Sequence, residues 1–374
     1  MKTVCEKNMC VGCMACVDLC SKKAITVVDN LYAYNAEIDE DRCISCNACH
    51  NICQQNYSIQ GKQPIKWFQG WADDIEIRKN ASSGGIASAL IDYFLNSGEY
   101  VAACNFRNGC FSFELFNKKK NIQNVNGSKY IKSNPLGIYN KIKEVIKYHK
   151  VLFIGLPCQV AAIKRCFKDN NNLYTVDLIC HGTPSPQILS YFLEQHGINI
   201  YEIDDIKFRE KTHFQLYKSN QHAFRSIEKD GITDNYLISF LNGVCYTENC
   251  YKCKYASIER ISDITIGDSW GSDLSIEEKR KGISLILCQT NRGIELIQNS
   301  NIVLHPVKLD NAIANNKQLS HASYKPKQHD EFFRLITNGM KYDHIIKKMY
   351  PKQYYKQRLK KILLILGIIR GGIE

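Results

Sequence analysis

Apolar and polar residues recur at recognisable periods in a few stretches of the chain, and these predict its regular elements. Ile86, Leu90, Ile91, Phe94 and Leu95 stand at helical spacing between Ile86 and Asn96, a helix that Gly98 closes. Val151 to Gly155 is a continuous apolar run, the signature of a buried strand. The loop Leu156-Pro157-Cys158-Gln159 follows, and Val160 to Phe167 begins a helix. The succession then repeats: strand Leu173 to Cys180, loop His181-Gly182-Thr183-Pro184, helix Ser185 to His196. Two strands joined through a helix run parallel and end at the same sheet edge, where open α/β sheets bind ligands. Shorter runs predict strands at Ala24 to Val28 and at Ile261 to Gly267, the latter leading into Asp268-Ser269-Trp270-Gly271. The fold class expected is α/β with parallel strands, preceded by a smaller α+β unit.

The polar, proline-bearing stretch Gln60 to Lys66 reads as a linker, so residues 1–60 are expected to form one unit, with 67–150 and 151–330 following. Residues 331–374 read as a basic and then apolar tail, with Lys356, Arg358, Lys360 and Lys361 before Ile362 to Ile369. Such a tail suits docking on its own domain, and suits an anionic membrane surface as well. No apolar run approaches the roughly 20 residues that span a bilayer, and Met1 to Gly12 has no continuous apolar core of the kind a signal peptide needs. A cytoplasmic protein is expected.

With 44% hydrophobic and 23% charged residues, disorder and fibrous structure are excluded. The 18 cysteines change the picture, because in a long chain without an export signal reduced thiols point to metal or redox chemistry. Eight of them form two copies of one pattern, Cys10-x2-Cys13-x2-Cys16-x3-Cys20 and Cys43-x2-Cys46-x2-Cys49-x3-Cys53. In this ferredoxin-type spacing three thiolates of a run surround one 4Fe-4S cubane and the fourth reaches the other. Cys10, Cys13, Cys16 and Cys53 are expected at one centre, and Cys43, Cys46, Cys49 and Cys20 at the other. Zinc sites more often combine two CxxC pairs. Cys5 lies outside the pattern and reads as an ordinary thiol. The net charge of +12 overstates the free positive charge, since each oxidised cubane with four thiolates carries about −2. With no zinc-finger, RRM or helix-turn-helix signature, nucleic acid is not expected as a partner.

Downstream, Ser82-Ser83-Gly84-Gly85 stands at the start of the helix Ile86 to Asn96, where free N–H groups and two hydroxyls suit a phosphate; a plain serine cap is the simpler reading. Cys158 and Cys180 share a sheet edge, and with Cys250 and Cys253 of the later CxxC pair they supply four ligands, enough for a third 4Fe-4S centre. Cys245 competes for one place, and a redox disulfide between Cys250 and Cys253 is the alternative. Cys104, Cys110, Cys166 and Cys288 read as packing. Arg209 and Lys211 flank Glu210 in a cluster that matters only near an anionic cofactor.

Taken in order, the double CxxCxxCxxxC, SSGG, GLPCQVAAIK, DLICHGTPSP and CYKCKYASIERISDITIGDSWG resemble the beta-subunit family of coenzyme F420 hydrogenases and dehydrogenases behind a dicluster ferredoxin, over roughly residues 1–330. The resemblance implies an FAD-dependent iron-sulfur oxidoreductase exchanging a hydride with a deazaflavin or another two-electron substrate, with a ferredoxin-like protein as electron partner. Some relatives stand among surface-polysaccharide genes. In hydrogenase-type members the cysteines at the positions of Cys158, Cys180, Cys250 and Cys253 are present. Ser82, Ser83, Gly84 and Gly85 become candidates for the flavin pyrophosphate, and Arg209 and Lys211 for anionic contacts. Glu210 stands where relatives commonly have Asp, and Leu156 where Thr is usual. His181 and Asp268 are candidate proton donors by position only. The alternative is a non-catalytic electron-transfer subunit docked on a partner oxidoreductase.

Overall fold

A computed structural model of the chain describes residues 2–119, 122–220 and 223–369. Its strands are, in chain order, β1 (Lys2–Thr3), β2 (Ile25–Asp29), β3 (Tyr34–Ile38), β4 (Lys66–Ala72), β5 (Tyr100–Arg107), β6 (Cys110–Phe116) and β7 (Val151–Gly155). They continue as β8 (Leu173–Leu178), β9 (Asp205–Glu210), β10 (His213–Asn220), β11 (Ala223–Ser226), β12 (Ile264–Asp268), β13 (Ser284–Cys288) and β14 (Ile302–His305). An eight-stranded sheet of order β14-β4-β13-β12-β8-β7-β5-β6 forms the centre of a mixed α/β fold. Its middle strands β5, β7, β8 and β12 run parallel, with β7 paired to β8 from Val151↔Leu173 to Gly155↔Asp177. The outer strands pair antiparallel. β4 lies between β13 and β14, and β5 pairs with β7, so the segments 67–150 and 151–330 contribute to one sheet.

The apolar run of β7 alternates between two cores, which is why it reads as continuous. Val151 and Phe153 pack with Ile142, Val160 and Ile163 on one face, and Leu152 and Ile154 pack with Ile86, Leu90 and Phe94 on the other. The helix Ile86–Asn96 has the bounds its periodicity predicts. The helix after β7 spans Pro157–Cys166, so Cys158 lies in its first turn and not in a loop. Proline is tolerated at a first helical position, and the Gln159 side chain accepts the Leu156 N–H at 2.9 Å, which starts the helix early. β8 ends at Leu178, leaving Cys180 in the loop beyond it.

The N-terminal unit sets the small sheet β1-β3-β2 beside two short helices, Ala15–Leu19 and Ala48–Ile52. It is held against the large sheet's helices by specific bonds. The Tyr139 hydroxyl donates to the Cys13 carbonyl, the Gly137 N–H donates to the Asp18 carboxylate at 2.8 Å, and the Arg165 guanidinium donates to the carbonyls of Ile52 and Tyr57 at 2.9 and 3.0 Å. A helical layer buries Phe332, Leu335, Ile345 and Ile346 with Phe192 and Tyr236. The front of the expected tail is therefore core. The helix Pro351–Ile365 leaves Tyr355, Leu359, Ile362 and Ile365 exposed, and residues 370–374 of the expected tail lie outside the described residues. Among the described residues no helix is long and apolar enough to cross a membrane.

Candidate functional site

The duplicated cysteine pattern is duplicated in the backbone. Gly12 and Met14 have φ of 71° and 58°, and their counterparts Ser45 and Asn47 have φ of 54° and 57°. This left-handed turn brings the Gly12 N–H to Cys10 Sγ and the Ser45 N–H to Cys43 Sγ, each at 3.4 Å. Bonds of this kind stabilise charge on sulfur and tune a cluster. Cys10, Cys13, Cys16 and Cys53 line one small pocket, the combination the crossed spacing requires. The other set is more open: Cys46 is exposed, while Cys20, Cys43 and Cys49 are half-buried.

Cys5 lines the inner pocket as well, beside Cys10 and Cys53, so it is no bystander. The nearness of the Cys5 thiol comes first among the causes that lower Cys10 and that bring Cys53 down to about 6, and those two neighbours in turn raise Cys5. Burial raises the Cys13 and Cys16 thiols. Cys13 and Cys16, held neutral in this way, become thiolates when iron supplies the positive charge, and the four converging thiols fit a 4Fe-4S centre.

A second nest gathers Cys158, Cys180, Cys250 and Cys253 around a cavity of about 40 Å³. Burial raises Cys158 and Cys253 and brings Cys180 up to about 12, with neighbouring thiols adding to each. The Thr183 N–H reaches Cys250 Sγ at 3.4 Å. Cys245 is fully buried among the aromatic residues of the helical layer and does not line this nest. Three cations line it, Lys132, Lys254 and Arg260, and the sequence pattern drew attention to none of them as a site residue. Buried Arg260 faces the fully buried carboxylate of Asp177.

Beside this nest opens a cavity of about 480 Å³ at the carboxyl ends of β7, β8 and β12. Cys180, His181, Gly182 and Thr183 line both spaces. On the opposite side Val11 and Gln55 are shared between the four-cysteine nest and the inner ferredoxin nest. The first turn of the helix Ile86–Asn96 forms one wall of the large cavity, with Ser82, Ser83 and Gly85 before it. Gly85 and Gly127 have φ of 86° and 82°; a Cβ on Gly127 would meet only Ser82 Oγ, at 3.8 Å, so it keeps the wall bare, whereas a Cβ on Gly85 would lie 3.3 Å from Ala72, Ile77 and Arg78, so Gly85 serves a close approach of chain segments. Tyr130, stacked on Phe240 at 4.5 Å, and Trp270 supply aromatic faces.

The other expected contacts are placed differently. Gly84 does not line the cavity: a Cβ there would lie 2.4 Å from the Gly70 carbonyl and 2.8 Å from the Ser284 nitrogen, so it serves a crossing of chain segments. Lys211 does not line it either. Its ammonium donates to the carbonyls of Arg78, Ala81 and Ser83 and so ties down the 78–83 loop. Arg209 does line the cavity, but its guanidinium is paired through two bonds of 2.8 Å to the Asp268 carboxylate. Burial lowers His181, leaving its ring neutral at pH 7. Cys110 is exposed at the start of the edge strand β6 and is not a core residue. Cys288 is core.

The fold and cysteine geometry define an iron-sulfur oxidoreductase scaffold, and sequence comparison identifies its family. Residues 67–138 match the coenzyme F420 hydrogenase/dehydrogenase beta subunit N-terminal model and residues 148–308 the C-terminal one. Residues 9–57 match a 4Fe-4S dicluster domain. The chain belongs to the coenzyme F420 hydrogenase/dehydrogenase beta-subunit family and is an iron-sulfur oxidoreductase of that kind. Among solved structures it is similar to a chain of the F420-reducing [NiFe] hydrogenase complex from Methanosarcina barkeri, at 18% identity over 69% of this chain and 91% of that chain, with a TM-score of 0.48.

Proposed function

We propose that the chain binds FAD in the large cavity and a third 4Fe-4S centre on Cys158, Cys180, Cys250 and Cys253, and that it joins a two-electron substrate to one-electron carriers. The observation that carries this reading is adjacency: the large cavity, the four-cysteine nest and the inner ferredoxin nest share walls in that order. The cavity's volume lies in the range of ligand sites, about 300–1,000 Å³, and its bare glycine wall beside a helix start suits a pyrophosphate. Bound flavin would supply the exchange between paired and single electrons. Ser82 and Gly85 would hold the phosphate end, and Tyr130 and Trp270 would flank an aromatic ring. The Arg209–Asp268 pair brings no uncompensated charge to the wall, and neutral His181 can donate or accept one proton there. Electrons would pass to a ferredoxin-like protein through the exposed Cys46 end, in the cytoplasm, where the thiols stay reduced. The substrate is proposed as a deazaflavin or a surface-polysaccharide intermediate, and turnover with each separates them.

Anaerobic purification of the full chain should yield releasable FAD and about twelve irons. Cys250→Ser should lose about four irons and keep the ferredoxin centres. Unchanged iron in that variant would overturn the third centre. Absence of flavin, with none rebinding, would leave an electron carrier without substrate turnover.

A further inference from the structure

Lys132 is 4% exposed, and its side chain runs between the N-terminal unit and the large sheet's loops. Its ammonium lies over the Tyr34 ring, 5.1 Å from the centroid, and reaches the Val11 carbonyl at 3.4 Å. Among the described residues it forms no ion pair with a carboxylate. A buried cation without an anion is costly. The anions within its reach are sulfurs, and they belong to two different nests. On one side it runs along the Cys10–Cys13 turn, meeting the Val11 carbonyl and lying against Gly12, and on the other it lines the nest of Cys158, Cys180, Cys250 and Cys253. Val11, whose carbonyl it meets, lines both nests. Of the other cations at the four-cysteine nest, Lys254 donates to the Gln55 carbonyl at 2.7 Å and Arg260 opposes the burial that raises the Asp177 carboxyl.

We infer that Lys132 is the shared counter-charge of the inner ferredoxin centre on Cys10, Cys13, Cys16 and Cys53 and of the centre on Cys158, Cys180, Cys250 and Cys253. The inference rests on the reading that the second nest holds a cluster. Each thiolate-bound cubane is anionic, and adding an electron increases that charge. A fixed ammonium between two such centres stabilises the electron on either one, raising both reduction potentials together. In the transfer between them one electron leaves one centre, which is oxidised, and enters the other, which is reduced. No bond forms or breaks, and the ammonium keeps its protons. Lys132 is thus a positioning residue for charge; none of Cys20, Cys43, Cys46 and Cys49 lines the nest it enters, and their centre serves as an internal reference.

The test is an EPR-monitored dithionite titration of the anaerobic full chain as wild type, Lys132→Met, Lys132→Gln and Lys132→Arg. At a fixed ambient potential, Lys132→Met should lower the ratio of reduced to oxidised centre about tenfold at two centres, or about 59 mV for a one-electron couple, and leave the third unmoved. Lys132→Gln keeps a donor for the Val11 carbonyl and should show the same loss, which carries the test if the Met variant fails to assemble. Lys132→Arg keeps the charge and should restore both potentials. Full iron with unmoved potentials, or an equal shift at all three centres, would overturn the role of Lys132 while leaving the four-cysteine reading intact. Wild type with only about eight irons would overturn that reading, and the shared role with it.

Discussion

Arg209 and Asp268 stand 59 residues apart, and each reads from sequence as a separate candidate, one for an anion and one for a proton. In the fold they satisfy each other, with the Arg209 side chain 3% and the Asp268 side chain 24% exposed. Arg209→Leu leaves a carboxylate at the cavity wall without its cation, and Asp268→Asn leaves a buried guanidinium with weaker acceptors. Each should cost roughly 2–3 kcal/mol in anaerobic urea unfolding, and the double variant should cost clearly less than the sum. Additive losses would show that the pair is not coupled. Cys5 teaches a related lesson: spacing identifies the residues inside a repeated motif and says nothing of a thiol that the sheet β1-β3-β2 folds back against them.

At the level of elements, glycines separate two roles that one motif letter cannot. Gly84→Ala would drive a methyl group into the backbone of Gly70 and Ser284, whereas Gly98→Ala meets nothing within 4 Å and suffers only from its φ of 75°. The first should cost roughly 2–3 kcal/mol and the second about 1 kcal/mol in the same unfolding assay. A loss at Gly84 no larger than that at Gly98 would show that the Gly70 and Ser284 backbone yields to the added methyl group. Asp234, ahead of the helix Asn235–Leu241, accepts the Leu216 N–H with one carboxyl oxygen, and burial pushes it up to about 8. Its proton is therefore held in the fold and lost in the unfolded chain above about pH 4. That stability is complete below about pH 4 and is lost as pH rises towards about 8. Thermal melts of Asp234→Asn should be flatter than wild type between about pH 6 and 8, and a parallel decline would refute the assignment. Elements with strong local signals were legible: the helix Ile86–Asn96 and the strand Val151–Gly155 carry their own periodicity. The placement of β4 between β13 and β14 depends on distant pairing that no window of sequence contains, whereas the early start of the helix bearing Cys158 rests on a local bond from the Leu156 N–H to the Gln159 side chain that apolar periodicity does not register.

Across the whole molecule, the thiols are graded in their access to solvent. The set Cys20, Cys43, Cys46 and Cys49 includes the exposed Cys46, with Ile44 60% exposed beside it. The set with Cys10, Cys13 and Cys16 is buried against the large sheet, and the nest of Cys158, Cys180, Cys250 and Cys253 lies behind it, beside the large cavity. Sequence spacing separates the three sets and cannot order them, because the order comes from docking the N-terminal unit through Tyr139, Asp18 and Arg165. Oxygen reaches an iron-sulfur centre through exposed sulfur and iron, so damage should follow the same gradient. On brief exposure of the reduced protein to air, the EPR signal of the Cys46-containing centre should fall first, with about four irons released before the other two sets respond. Alkylation of the freed thiols followed by peptide mapping should find Cys46 and Cys43 modified earliest. Earlier modification of Cys250 or Cys253 would mean that the large cavity, and not the ferredoxin end, is the main path from solvent to the clusters.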